Sequence, residues 1–363
     1  MGKLRVGLLF GGRSVEHEVS ITSATSILKA LDPTRYEIAL VAIGPDGRWH
    51  LGAPLLPPEE SVEGEEVNLL PVPGEHTLVS ASQRDLGENA VLDVVFPIVH
   101  GRGGEDGCLQ GLLELAGVPY VGAGVLGSAV QMDKEVAKRL LRAGGLPVVP
   151  WVLVRGEELA RDARAAVERV VDELGLPAFV KPSNLGSSVG ISRVAKRRDL
   201  LPALREAARY DSKILVERAV DAREVEVALL GNGPIEASVP GEIRTRREFY
   251  DYEAKYVDED TELLVPAPLS DEQTGAVRQL AIEAVEILEG SGLARVDFLL
   301  DRSSEQFFVN EVNSLPGFTE NSMFPRLWEA SGLPYPALLD RLVELALERH
   351  RARSALETQY RRT

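Results

Sequence analysis

Among 363 residues there is a single cysteine, Cys108, so the chain can build neither an internal disulfide framework nor a thiolate metal cage. Such usage fits a reducing compartment, and Cys108 itself is expected to be a small buried apolar side chain. Basic charge is also short: 40 Lys and Arg stand against 56 Asp and Glu, a formal net charge of −16. This argues against a nucleic-acid partner, because neutralising phosphates needs clustered cations. Long apolar runs are missing too. No stretch of about 18 apolar residues occurs, and the start MGKLRVGLLFGG turns polar after one short run. No membrane partner is expected, and the expected location is cytoplasmic.

What remains is an ordinary globular composition, 44% hydrophobic and 26% charged, in a chain too long for one core. Two or three domains are therefore expected. LRVGLLF (4–10), a glycine turn, a helix from Ser20 to Leu31 and EIALVAIG read as strand, turn, helix, strand. VLDVVFPIVHG and LQGLLELAGVPYVG repeat the pattern, so the first 125 or so residues predict an open parallel sheet with covering helices. Residues 53–88, rich in Pro, Glu and Gly, read as an elaborated connection. Further on come a helix from Asp133 to Gly144, a strand in PVVPWVLV, a charged helix to Glu173, and strands in AFVKP, VGISRV and KILVER. EVEVALLG and PIEASVP flank a turn at Gly231–Gly233, and residues 241–262 form a polar, aromatic loop. A helix (270–289), strands at 293–300 and 307–313, and a helix after Pro336 follow, with a frayed basic tail over 349–363.

Two constellations carry chemistry. In ARVDFLL and FFVNEVN side chains alternate, so Arg295 and Asp297 share a face, as do Glu311 and Asn313. A hairpin that closes symmetrically is expected to set Asp297 opposite Glu311 and Arg295 opposite Asn313, and two facing carboxylates repel unless a cation lies between them. Oxygen ligands of this kind suit Mg²⁺, which takes few carboxylates plus substrate phosphates; an Arg–carboxylate surface network is the alternative. The stretch KPSNLGSSVG sets Lys181 at a strand end before a Gly/Ser turn whose amides and hydroxyls could cradle phosphate. It is no Walker loop, and a plain hairpin turn explains the glycines equally well.

The segments GGRSVEHEVS, HGRGGEDGCLQG, MDK, VKPSNLGSSVGIS, YDYEAKY, ARVDF and NEVNSLPGFTENSMFP, in this order over nearly the whole chain, resemble the D-alanine–D-alanine ligases of the ATP-grasp superfamily. The resemblance implies an α/β N-terminal domain with a parallel sheet, followed by an α+β ATP-grasp fold of two subdomains. The expected bounds are 1–130, 131–220, 221–350 with the metal site, and a tail at 351–363. It also implies ATP-dependent joining of two D-alanine molecules through a D-alanyl phosphate, for peptidoglycan precursor synthesis, with Mg²⁺ or Mn²⁺, two ions, and a homodimer through the N-terminal domain. By this resemblance Asp297, Glu311 and Asn313 are metal ligands, and Arg295 with the amide of Gly317 stabilises the tetrahedral intermediate. Lys134, Lys181 and Lys255 contact phosphates, Glu217 accepts from the adenine amino group, and Glu224 binds the ribose. Glu16 holds the first substrate's ammonium, in a triad with Ser187 and Tyr256, and His100 stands beside that substrate. Ser322 and the Met323 amide take the second carboxylate.

Relatives using D-lactate usually carry a histidine in the 241–262 loop, whereas DYEAKY has Tyr256 and no histidine, which favours an amine nucleophile. D-lactate or D-serine as second substrate, another ATP-grasp carboxylate–amine ligation, and a silent nucleotide-binding regulator are the competing readings.

Overall fold

A computed structural model describes residues 2–55, 64–74, 76–187, 189–244 and 262–357, and the counts below refer to these. Among them three sheets form, one from each successive stretch of chain. The first contains β1 (Leu4–Gly11), β2 (Tyr36–Ile43), β3 (Trp49–Leu51), β4 (Glu65–Leu69), β5 (Leu78–Ser80) and β6 (Val94–Pro97), in the order β5-β4-β3-β2-β1-β6. Its centre, β2-β1-β6, is parallel as expected. The run VGLLF is apolar on both faces because both faces are covered. Val6, Leu8 and Phe10 pack toward helices His17–Ala30 and Tyr335–Ser354, while Leu9 joins Val41 and the helix Cys108–Ala116.

Three expectations need correction here. The sheet is mixed rather than parallel throughout, because β3, β4 and β5 extend it antiparallel. Part of the 53–88 connection is thus sheet edge. Cys108 is exposed, not buried: it opens its helix, Leu109, Leu113 and Ala116 take the inner stripe, and a bond from the thiol to Asp106 pushes the thiol up. The basic tail is helical to Ser354, held where Arg349 bonds Tyr120 O at 2.9 Å and Arg353 pairs with Glu114 at 2.9 Å.

The second sheet, β7 (Trp151–Arg155), β8 (Ala178–Pro182), β9 (Ser192–Val194) and β10 (Lys213–Arg218), is antiparallel in the order β7-β10-β8-β9. Alternation divides its faces. Val152, Val154, Val180, Ile214 and Val216 meet the helices Ala163–Leu174 and Arg197–Ala207, which leaves Lys181, Leu215 and Glu217 on the other face. The charged helix ending near Glu173 is two helices, since Asp162 ends one and caps the next by accepting from Ala165 N–H at 3.0 Å.

The third sheet runs β14-β13-β11-β15-β16, from β11 (Ala222–Gly231), β12 (Glu236–Ala237), β13 (Gly241–Arg244), β14 (Glu262–Leu264), β15 (Gly292–Asp301) and β16 (Phe307–Asn313), with β12 paired to β11. The ends of the 241–262 loop are therefore a paired stem, Glu242 opposite Leu264; the span 245–261, with Lys255 and Tyr256, lies outside the described residues. Val225, Val227, Ala294, Val296 and Phe298 pack under helices Lys134–Ala143 and Asp271–Ile287. The latter begins with a capping box between Ser270 and Gln273. Glu224, Glu226, Arg295 and Asp297 consequently occupy the opposite face. Among the described residues no helix is long and apolar enough to cross a membrane.

Phe318 joins the first sheet to the end of the chain. Fully buried, it lies against Phe96, Phe324 and Tyr335 at ring separations of 5.8, 5.5 and 6.0 Å. Phe318→Ala is expected to lower unfolding stability by about 3 kcal/mol or more, the scale of a deleted core aromatic, as measured by denaturant titration.

Candidate active site

The polar face of the third sheet sets three carboxylates in a row. Asp297 on β15 stands opposite Glu311 on β16 and Glu226 on β11. A symmetric turn would not give this pairing. Leu300↔Phe307, Leu299↔Phe308 and Phe298↔Val309 continue to Asp297↔Asn310, and a bulge between Asp297 and Phe298 shifts the register so that Glu311 is presented instead. The expected contact is present, by way of an extra residue that the sequence did not reveal.

Cations of the chain separate the three carboxylates. Arg295 grips Asp297 with two bonds, Nε to Oδ1 at 2.6 Å and Nη2 to Oδ2 at 2.7 Å, and its Nε lies 3.0 Å from Glu226 Oε2. Burial opposes the guanidinium charge, but Asp297 and Glu226 outweigh it and hold its pKa well above the ordinary arginine value. Asn313 donates to Asp297 Oδ2 at 3.0 Å. On the other side Lys134 Nζ lies 3.3 Å from Glu311 Oε2 and donates to Leu185 O at 2.9 Å. Burial lowers its affinity for a proton, and the Glu311 charge more than restores it.

Lys134 is placed by its helix. Asp133 caps Lys134–Ala143 by accepting from Val136 N–H at 3.1 Å. Asp133 in turn accepts from Ser183 Oγ at 2.8 Å and Lys213 Nζ at 2.7 Å, which ties the helix start to the second sheet. One turn on, Lys138 Nζ meets Glu217 Oε1 at 2.8 Å, and Lys181 Nζ meets Glu217 Oε2 at 2.7 Å. Burial would raise the Glu217 pKa, but the two ammonium groups hold it below the usual carboxylate range.

At the far end of the cleft Glu16, just before the helix His17–Ala30, accepts a short hydrogen bond from Ser187 Oγ. Ser187 sits at φ +50° in the turn after Lys181, and this strained backbone aims its hydroxyl at Glu16. Gly101 leaves the room, since a Cβ there would lie 2.6 Å from Glu16 Oε2. His100 is buried, with Ser23 Oγ 3.3 Å from Nε2 and Glu105 Oε1 3.9 Å from Nδ1. Burial disfavours its charge, but the acidic neighbours Glu105 and Glu16 raise its pKa overall. On a third side Ser322 precedes the helix Met323–Ala330, and its Oγ accepts from Thr319 N–H at 3.1 Å. The first amides of a helix have no carbonyl partner within it, which suits an anion.

These parts line one cavity of about 520 Å³. Glu16, His100, Lys134, Ser187, Arg295, Glu311, Asn313, Gly317, Ser322 and Met323 face it. Asp297 lies behind Arg295; Lys181, Glu217 and Glu224 stand off its wall, the first two on the second sheet and Glu224 two residues before Glu226 on β11. Sequence reasoning passed over Glu226, Glu105 and Lys138. The alternation in EVEVALL put Glu226 on the face of Glu224, and Lys138 interrupts the buried stripe of Ala137 and Leu141, so both signals were legible.

Among the described residues no three His, Cys, Asp or Glu side chains are grouped to hold an ion by themselves. Asp297, Glu311 and the Asn313 amide fit a hard cation that completes its shell with phosphate oxygens and water. Their pairing with Arg295 and Lys134 keeps the charges compensated without one.

A family profile described as "D-ala D-ala ligase N-terminus" matches residues 5–123, and one described as "D-ala D-ala ligase C-terminus" matches residues 140–344. The D-alanine–D-alanine ligase A of Chromobacterium violaceum is 51% identical over 98% of both chains. The solved D-alanine–D-alanine ligase of Coxiella burnetii superposes with a TM-score of 0.85 at 38% identity, over 98% of this chain and 97% of that one. A D-Ala:D-Ser ligase from Enterococcus faecalis gives 0.84 at 30% identity, over 95% and 100%. A match in both halves, at this identity and over nearly the full length of each relative, makes the chain a member of the D-alanine–D-alanine ligase family.

Proposed function

We propose that this protein joins two D-alanine molecules at the expense of ATP, supplying the dipeptide for peptidoglycan precursors. The observation that carries the reading is that one cavity brings Glu16, Arg295 and the amides at Ser322–Met323 to its walls. An amino acid needs a carboxylate for its ammonium, an acyl-transfer centre needs a cationic donor, and a second amino acid needs an anion site.

In this reading a carboxylate oxygen of the first D-alanine attacks the γ-phosphorus of ATP, the bond to the β-phosphate oxygen breaks, and ADP leaves. The amine of the second D-alanine then attacks the acyl carbon, the bond to the phosphate oxygen breaks with its electron pair, and the amine loses a proton. Glu16, oriented by Ser187, holds the first ammonium, with His100 beside it. Arg295 and the Gly317 amide face the oxygen that gains charge in the second step. Ser322 and the Met323 amide take the second carboxylate. Lys134, Lys181 and Lys255 address phosphates, Glu217 the adenine and Glu224 the ribose.

Asp297, Glu311 and Asn313 would hold Mg²⁺ or Mn²⁺, which neutralises phosphate charge when bound. Tyr256, where D-lactate-using relatives usually carry a histidine, goes with D-alanine rather than D-lactate as second substrate.

The direct test is incubation with ATP, Mg²⁺ and D-alanine, which should give D-alanyl-D-alanine and phosphate in equal amounts; absence of both sinks the reading. Adding EDTA should stop turnover, and excess Mg²⁺ or Mn²⁺ should restore it. Arg295→Ala is expected to lower kcat about 10²-fold while ATP binding by calorimetry stays largely intact, and a normal kcat would remove Arg295 from its role. Glu16→Gln should raise the KM for D-alanine about ten-fold or more, the scale of a lost charged hydrogen bond, with little change in the KM for ATP.

A further inference from the structure

Lys138 is an ionisable group that the proposed reaction does not use. It lies one helical turn beyond Lys134, on the stripe that carries Ala137 and Leu141 into the core, and 1% of its surface is exposed. Burying an ammonium costs several kcal/mol before any partner repays it, and an apolar side chain would continue the stripe at less cost. The charge is therefore a poor device for packing alone. Its contact is Glu217, Nζ to Oε1 at 2.8 Å, and neither atom has a further hydrogen-bond partner among the described residues.

Glu217 holds a different lysine on each oxygen, and the two lysines differ. Lys181 stands at the strand end that opens the Gly/Ser turn, where our reading gives it to phosphates. Lys138 belongs to a helix capped by Asp133 and fastened to the second sheet through Ser183 and Lys213. When Lys181 serves a nucleotide, Lys138 is the partner left to Glu217; burial pushes the Lys138 pKa down, and the Glu217 charge opposes that. A carboxylate kept ionised has lone pairs and no proton to donate. It accepts from a purine 6-amino group and offers nothing to a 6-oxo group, and such a mismatch leaves buried polar groups unpaired.

We infer that Lys138 is a positioning residue for nucleotide choice, holding Glu217 ionised and turned so that its remaining lone pairs accept from adenine, which makes the site prefer a 6-aminopurine to a 6-oxopurine nucleotide. The inference rests on Glu217 being the adenine acceptor.

Titration calorimetry of the full chain with ADP and with inosine diphosphate, both with Mg²⁺, tests it. The unaltered protein should bind ADP about ten-fold or more tighter than inosine diphosphate. Lys138→Met should bring the two within about three-fold, mainly by weakening ADP. Lys138→Gln, which keeps a donor but removes the charge, should act in the same direction and serves if the Met variant does not fold. An unchanged ADP preference in a folded variant, or an equal loss for both nucleotides as a merely structural role would give, overturns the inference. A protein that joins D-alanine yet never prefers ADP sinks this inference alone. One that prefers ADP through Lys138 yet forms no dipeptide sinks the ligase reading and leaves the inference standing.

Discussion

The guanidinium of Arg295 lies between Asp297, on its own strand, and Glu226, on the neighbouring one. The rest of the site depends on that arrangement. Three carboxylates in a row across adjacent strands repel one another. Arg295 at one end of the row and Lys134 at the other set a cation beside each carboxylate, and Asp297 and Glu311 keep oxygens suited to a hard cation. A donor fixed by two partners also loses little freedom when a charge develops beside it, and that preorganisation is what an oxyanion stabiliser requires.

Positioning comes from the alternation of two sheets and from one helix between them. Helix Lys134–Ala143 packs on the apolar face of the third sheet through Ala137 and Leu141, and the second sheet turns its charged face, with Glu217, toward the same helix. Two lysines one turn apart on that helix reach different sheets, Lys134 to Glu311 and Lys138 to Glu217. The first sheet closes the remaining side through Glu16 and His100, held against the end of the chain by the aromatic cluster around Phe318.

Much of this was legible from residue order. The strand pair ARVDFLL and FFVNEVN announced its polar face by period-2 alternation, and the β11 turn announced itself by Gly231–Gly233. What was illegible has local causes. The bulge at Asn310 leaves no compositional mark, yet it decides which carboxylate faces Asp297. β4 and β5 are short strands, β5 at the sheet edge, whose Pro- and Glu-rich flanks mask them, so the first sheet reads as purely parallel. Cys108 followed the average behaviour of its type in the sequence reading, but a residue at the first position of a helix is governed by the stripe that its neighbours fill. Lys138 interrupts an apolar stripe, yet lysines on helices are usually solvated, and the packing of the second sheet over the helix is what gives that interruption its meaning.

The account stands on carboxylate activation by phosphoryl transfer before the peptide bond forms. The most direct measurement uses D-alanine labelled with ¹⁸O in its carboxylate, with mass analysis of the phosphate released during turnover. The account predicts that each dipeptide formed leaves one labelled oxygen in phosphate. Dipeptide formation with unlabelled phosphate would contradict it.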